Sequence, residues 1–316
     1  MELSICILTR NQQELLHQCV ASCFEEIQRS GIEGEVIVID NASTNGSPQE
    51  MKRAYPNVEL LRNEQNLGFS EANNKAIRAS EGRFVLILND DAVLQENSLR
   101  LMLAGISSDA TVGAVGPRLV SPDGSPQVDL TNKRFPSLRG VACQLLHLEW
   151  LLRKWRFTRD ALTLTRDPDH SGGAEHLAGA CLLLRREALD SVGLFDERFY
   201  YWYEDSDICC RLKAAGWKPV YLSEAVVKHW GSSTFKTLMR SERAAMAFRS
   251  LLWYFKKHSS PGKWMLVRLV IVLLLLARIP VVACMAISSW GKSRNSWSET
   301  MRQYARVVFS LLRVAD

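Results

Sequence analysis

The sequence lacks the common signatures of nucleotide-binding and metal-binding proteins. No GxGxxG follows the first apolar run and no GxxxxGK[ST] occurs anywhere, so neither a dinucleotide fingerprint nor a P-loop is available. The eight cysteines (Cys6, Cys19, Cys23, Cys143, Cys181, Cys209, Cys210, Cys284) include no CxxC pair at zinc spacing. They lie in apolar or helical patterns and read as buried thiols of a reducing compartment. Basic and aromatic residues do not interleave as they do in nucleic-acid binders, so no nucleic-acid partner is expected. A basic n-region and a long apolar h-region are also missing after Met1, so no signal peptide is expected and the body should face the cytosol.

Acidic residues are scarce at one end. From Leu238 onward thirteen Lys and Arg face only Glu242, Glu299 and Asp316, a net of +10, which leaves −5 for the rest of a chain whose total is +5. An acidic body with a basic, apolar tail points to an anionic membrane surface. Trp264 to Trp290 is mostly apolar with a tryptophan at either end, long enough to span a bilayer core. Arg278 near its middle and Pro280 beside it oppose a simple crossing. In the last segment Met301, Tyr304, Val307, Val308, Leu311 and Leu312 share one face and Arg302, Arg306 and Arg313 lie outside it, the pattern of a helix lying in the interface. The alternative is a buried helical pair or a dimer interface.

With 316 residues, 47% hydrophobic and 23% charged, the chain can hold one large domain plus this appendage. Its centre of organisation is Phe84 to Val93. Five apolar residues run straight into Asn89, Asp90 and Asp91, as in a strand buried on both faces that ends in carboxylates. Upstream, Leu3 to Leu8, Glu35 to Ile39 and Val58 to Leu61 read as strands, with helices from Gln13 to Glu26 and from about Ser70 to Ser80. This rhythm predicts an α/β fold with a mostly parallel central sheet, flanking helices and right-handed crossovers. Thr9, Arg10 and Asn11, then Asp40, then Asn89 to Asp91 would share the crevice at the strand ends. Adjacent strand residues point to opposite faces, so Asp90 and Asp91 suit a cation shared through one carboxylate and water, of the Mg²⁺ or Mn²⁺ type. A polar turn that merely ends the strand fits the same residues. Asp40 can accept from a base imide or a ribose hydroxyl, or can cap a turn.

Pro117 to Glu175 loses the rhythm, with a turn cluster at Ser121 to Pro126 and a helical or irregular stretch from Leu138 to Trp155. Order returns at His176 to Arg185, an apolar run long enough for a strand, followed by a helix from Arg186 to Val192. Aromatics from Phe199 to Tyr203 lead into Glu204-Asp205-Ser206-Asp207 at the start of another helix. Acidic residues there compensate the helix dipole, while an aromatic wall would partly desolvate a carboxylate and suit it to general-base work. Trp217 to Leu222 and Val226 to His229 are further apolar runs.

Taken together, Leu-Thr-Arg-Asn after the first strand, Val-Ile-Asp-Asn-Ala-Ser, Asn66-Leu-Gly-Phe with Asn73-Asn74, Leu-Asn-Asp-Asp, Gly179-Ala-Cys, Gly193-Leu-Phe-Asp-Glu, Tyr203-Glu-Asp-Ser-Asp and Lys228-His-Trp resemble the family 2 inverting glycosyltransferases of the GT-A fold. Within them the rhamnosyltransferase-like branch that builds bacterial surface polysaccharides is most similar. Asn89 departs from the first position of the family's metal motif, and Arg10 and Gln12 from its first loop. The resemblance implies a GT-A domain over 1–235, with a nucleotide-sugar half at 1–116 and an acceptor half at 117–235, and a membrane-associated helical tail at 236–316. It implies Asp91, with Asp90 and His229, as holders of Mg²⁺ or Mn²⁺ on the diphosphate, and Thr9, Arg10, Asp40, Asn66, Asn74, Asn89 and Asp90 on the nucleotide sugar. Asp205 would be the general base, with Glu204 as the alternative, and Asp207 and Trp202 would lie on the acceptor side. Implied partners are a nucleotide-sugar donor (dTDP-rhamnose-like or a UDP-sugar), a glycan or polyprenyl-linked acceptor, and the cytoplasmic face of the inner membrane. A non-catalytic sugar-binding scaffold of the same fold is the competing expectation.

Overall fold

The computed structural model describes residues 1–128, 130, 134–145, 168–231 and 240–288. Apolar runs form the strands. β1 (Leu3–Thr9), β2 (Gly34–Asn41), β3 (Glu59–Asn63) and β4 (Phe84–Asn89) pair in parallel in the order β3-β2-β1-β4. Between them run α1 (Glu14–Ser30), α2 (Ser47–Ala54) and α3 (Gly68–Ala79). Leu3, Ile5 and Ile7 of β1 alternate with residues of the other face and join Val36, Val38, Leu86 and Leu88 in the core. The parallel register sets Thr9 beside Asp40 and Leu8 beside Asn89, so three strand ends deliver polar residues in one row.

Beyond β4 the sheet departs from the expected parallel pattern. After the turn at Asp90 and Asp91 come β5 (Ala92–Leu94), α4 (Ser98–Ser107) and β6 (Val112–Val120). Then follow α5 (Leu138–Leu145), β7 (Gly172–Gly173), β8 (Cys181–Arg185), α6 (Arg186–Val192), α7 (Glu204–Ala214) and β9 (Lys218–His229). The order continues β4-β8-β6-β9-β5, with β7 also on β9. β8 is antiparallel to both β4 and β6, β6 is parallel to β9, and β5 and β7 are antiparallel to β9, so the sheet is mixed. An apolar run such as Cys-Leu-Leu-Leu is buried on both faces either way and carries no mark of direction. The runs at Trp217 to Leu222 and Val226 to His229 are one strand, with the register against β6 shifting between Pro117 and Arg118. β6 passes through position 117, so the two expected halves share that strand.

Helix ends are secured across elements. Glu26 on α1 is 3% exposed and accepts from the amides of Asn97 and Leu99 (both 3.1 Å), capping α4 from outside. Gly68 opens α3 at φ +79°, and a Cβ there would stand 2.5 Å from the Tyr200 carbonyl oxygen, which accepts from Phe69 N at 2.7 Å. Only glycine permits that approach.

The chain divides into two units. The first comprises Met1–Phe135, Thr165–Tyr200 and Glu204–Thr234, and contains the sheet. The second comprises Pro136–Leu164, Tyr201–Tyr203 and Phe235–Asp316. It holds α8 (Arg240–His258) and α9 (Pro261–Ser288), and in it Ser250 Oγ donates to the Tyr201 carbonyl (2.7 Å). Met265, Leu266, Leu269, Val272 and Leu273 stand exposed along one side of α9, while Val267 and Ile271 are buried. Among the described residues no helix is long and apolar enough to cross a membrane. The rest of the expected 138–155 helical stretch, the basic helix expected over 301–312 and Trp290 lie outside the described residues.

Candidate active site

The parallel strand ends supply the first polar groups. Asp40, fully buried, is held at both oxygens: Oδ1 accepts from Ser43 N (2.8 Å) and Oδ2 faces Arg62 Nε (3.3 Å). The exposed guanidinium of Arg62 thus covers the carboxylate singled out for a nucleotide base or ribose. Asp90 is 3% exposed, and burial, then the neighbouring Asp91 charge, pushes it up to about 7, against the Thr9 hydroxyl and the Arg10 amide. The Arg10 amide lies 3.3 Å from its Oδ2.

Asp91 turns the other way, to β9. Its Oδ1 lies 3.3 Å from Nε2 of His229, and its backbone oxygen accepts from Trp230 N (3.0 Å). Gln127 reads both sides of His229: its Nε2 donates to the His229 carbonyl (2.6 Å), which leaves its Oε1 against Nδ1 (2.8 Å). An amide oxygen only accepts, so Nδ1 carries the proton. Asn89 Nδ2, 3.4 Å from Nε2, can only donate there. Nε2 therefore faces a carboxylate oxygen, and with the ring neutral the two are a donor pair for a cation placed between or beside them. That donor set fits a divalent cation, with the imidazole favouring Mn²⁺ over the harder Mg²⁺. Asp90 does not complete it. Among the described residues no three His, Cys, Asp or Glu side chains gather as a metal cage, because the turn sends the two aspartates apart.

The third group sits at the start of α7. Asp205 has a side chain 19% exposed; Oδ1 accepts from Ser206 N (2.7 Å) and Oδ2 from Gly179 N (3.1 Å). Gly179 is followed by Ala180, whose carbonyl accepts from Asn89 N (3.0 Å). Two consecutive residues thus tie the end of β4 to the Asp205 carboxylate. Glu204 is buried, its Oε2 has no hydrogen-bond partner among the described residues, and burial together with Asp205 holds it well above the ordinary carboxylate range.

Other expected site residues make hydrogen bonds within the fold. Asn74 gives both amide hydrogens to Phe195 O (2.8 Å) and Glu197 Oε1 (2.9 Å) and accepts from Phe195 N (3.0 Å), pinning α3 to the 195–197 loop. Asn66 Oδ1 accepts from Asn41 Nδ2 (2.8 Å) and Gly68 N (3.0 Å), which shapes the entry to α3. Asp207, fully buried, pairs with Arg211 one turn on (2.8 Å), and Arg211 donates to the carbonyls of Val192, Gly193 and Leu194. Trp202 falls in the second unit, and it and Tyr203 have left-handed backbones (φ 66° and 68°). Residues not singled out by the sequence include Gln127, Arg62 and His176. A lone histidine opening an apolar run carries no local signal, and neither does a glutamine just past a turn.

Comparison with known proteins bears on this geometry. Residues 4–193 match the family model described as glycosyl transferase family 2, and residues 150–309 match glycosyl transferase family group 2. An N-acetylglucosaminyl-diphospho-decaprenol L-rhamnosyltransferase of Mycobacterium tuberculosis is 33% identical over 250 residues, 73% of this chain and 79% of the relative. Among solved structures, a mannosyltransferase of Pyrobaculum calidifontis in complex with GDP-Man and Mn²⁺ superposes with a TM-score of 0.56 at 16% identity, covering 99% of this chain and 86% of that one. S. aureus TarS 1-349 in complex with UDP-GlcNAc gives 0.56 at 16% identity, covering 100% and 82%. These two likenesses establish the GT-A-type fold.

Proposed function

The chain belongs to glycosyl transferase family 2, and we propose that it transfers a sugar, with inversion, from a nucleotide-sugar donor to a lipid-linked acceptor in bacterial cell-surface glycan synthesis. The rhamnosyltransferase relative makes L-rhamnose the first donor sugar to test and an N-acetylglucosaminyl-diphospho-polyprenol the first acceptor. The observation that carries the reading is the Gly179-Ala180 bridge, which holds a partly exposed carboxylate next to the strand end that bears Asn89, Asp90 and Asp91.

Asp40, with Arg62 over it, is suited to the base or ribose of the donor. Asp91 and His229 would hold Mn²⁺ or Mg²⁺, which when bound supplies positive charge to the leaving diphosphate. Asp205 accepts the proton of the acceptor hydroxyl as that oxygen attacks the anomeric carbon from the face opposite the diphosphate. Its two backbone donors fix the carboxylate for that task. Glu204 is the poorer candidate because it is buried, whereas the Asp205 side chain is partly exposed to an incoming hydroxyl. The exposed apolar side of α9, with Lys263 and Arg268 on the same helix, supports attachment to an anionic membrane, where a polyprenyl-linked acceptor resides.

The test is direct. Purified protein with Mn²⁺ and a polyprenyl-diphospho-N-acetylglucosamine acceptor is offered dTDP-L-rhamnose, UDP-N-acetylglucosamine and GDP-mannose in turn, and products are read by mass spectrometry. A glycosylated lipid of inverted anomeric configuration is expected. Binding of a donor with no transfer to any lipid-linked acceptor would instead establish a sugar-binding scaffold.

A further inference from the structure

His176 stands one residue before the strand-leading segment that carries Gly179, is 5% exposed, and faces the start of α7 with both ring nitrogens. Nδ1 lies 2.9 Å from Ser206 Oγ, and Nε2 lies 3.7 Å from Asp205 Oδ2. The hydroxyl of Ser206, itself 4% exposed, has that Nδ1 as its side-chain partner among the described residues. A buried hydroxyl hydrogen without an acceptor is costly, so Ser206 donates and Nδ1 accepts. The ring proton then sits on Nε2, aimed at the Asp205 carboxylate, at a distance that is electrostatic contact short of a full hydrogen bond.

We propose that His176, held in this tautomer by Ser206, is a positioning residue for Asp205: its Nε2 proton favours the ionised, outward-facing carboxylate that must receive the acceptor proton. This rests on Asp205 being the base. The charged and titratable groups around that carboxylate are His176 from the segment before β8 and Glu204, Asp207 and Cys209 on α7 itself. Asp207 is paired with Arg211 and the Cys209 thiol is pushed up by burial, so the imidazole N–H is the side-chain donor turned toward the Asp205 carboxylate. Ser206 adds a second constraint through its backbone, whose N–H holds the other oxygen of the same carboxylate. One residue therefore fixes both the base and the ring that faces it.

The experiment measures pH profiles of kcat with dTDP-L-rhamnose and polyprenyl-diphospho-N-acetylglucosamine for wild type, His176→Phe, His176→Gln and Ser206→Ala. The phenylalanine variant fills the buried volume but offers no proton: kcat falls about tenfold and the acid limb moves up by about one pH unit, with the donor KM unchanged. Glutamine restores an N–H near Nε2 and returns the limb toward wild type, while Ser206→Ala shifts it in the same direction as phenylalanine by less. Unmoved limbs in both His176→Phe and Ser206→Ala, in variants that still bind UDP in calorimetry, overturn the proposal. If the phenylalanine variant does not fold, Ser206→Ala decides alone. Asp205→Asn separates the two readings: an active Asp205→Asn removes the base assignment itself, whereas an inactive one beside unmoved limbs removes only His176.

Discussion

Nε2 of His229 and Oδ1 of Asp91 face each other across 3.3 Å, Asp91 standing in the turn just before β5, whose antiparallel register pairs Ala92 with His229. Gln127 holds the imidazole so that its Nε2 looks at the carboxylate. Asp91→Ala should abolish the Mn²⁺-dependent part of UDP binding, and Gln127→Leu should weaken it by about 10- to 100-fold through loss of the ring's orientation. Calorimetry with UDP, in Mn²⁺ and in EDTA, reads both. Equal affinities in the two buffers for wild type would sink the metal assignment.

Asp205→Asn should leave UDP binding nearly intact and cut turnover by about 10² to 10⁴, because an amide cannot accept the acceptor proton. Single-turnover transfer with saturating donor is the measurement. Turnover within about tenfold of wild type moves the base elsewhere.

Asp90 makes stability depend on pH. Its value in the fold, about 7, lies above that of an unfolded aspartate, so its contribution is fully present below about pH 4 and is lost as pH rises through 7. Asp90→Asn should therefore stabilise the metal-free protein at pH 8 by about 2 kcal/mol or more, with a smaller gain at pH 5. Thermal melts at the two pH values check the sign. A variant that melts lower at pH 8 than at pH 5 relative to wild type would contradict the burial argument.

Leu266 and Leu269 stand 51% and 54% exposed on α9. Replacing both with Glu should lower binding to phosphatidylglycerol vesicles by about 10²-fold or more, since each leucine loses roughly 1.5 to 3 kcal/mol of burial. Sedimentation with vesicles measures it. Wild-type protein that fails to sediment with anionic vesicles would end the membrane reading.

Much of this site could be read from residue order. The apolar runs at β1, β2 and β4 announce strands, and the acidic residues at their ends announce the row that the register then aligns. Direction was not legible, because a strand buried on both faces looks the same pointing either way, as Cys181 to Arg185 does. β6 was obscured by Gly113, Gly116 and Pro117, which dilute its apolar pattern, and β9 by Ser223-Glu224 in its middle. Asn74 carries bonds that its motif does not announce, to the backbone of Phe195 more than a hundred residues on. His176 meets Ser206 and Gln127 meets His229 across 30 and 102 residues, a relation that no local pattern carries.

The pairing of β5 with β9 has a consequence for how the protein comes into being. Asp90 and Asp91 emerge early in synthesis, but the imidazole opposite Asp91 arrives only when the chain has been made as far as His229 and β9 has docked against β5. Such a long-range closure is a slow contact to form. A chain cut before β9 would carry the acidic turn without its histidine, so if the pair holds Mn²⁺ as proposed, uptake of the ion during refolding would time the docking of that strand.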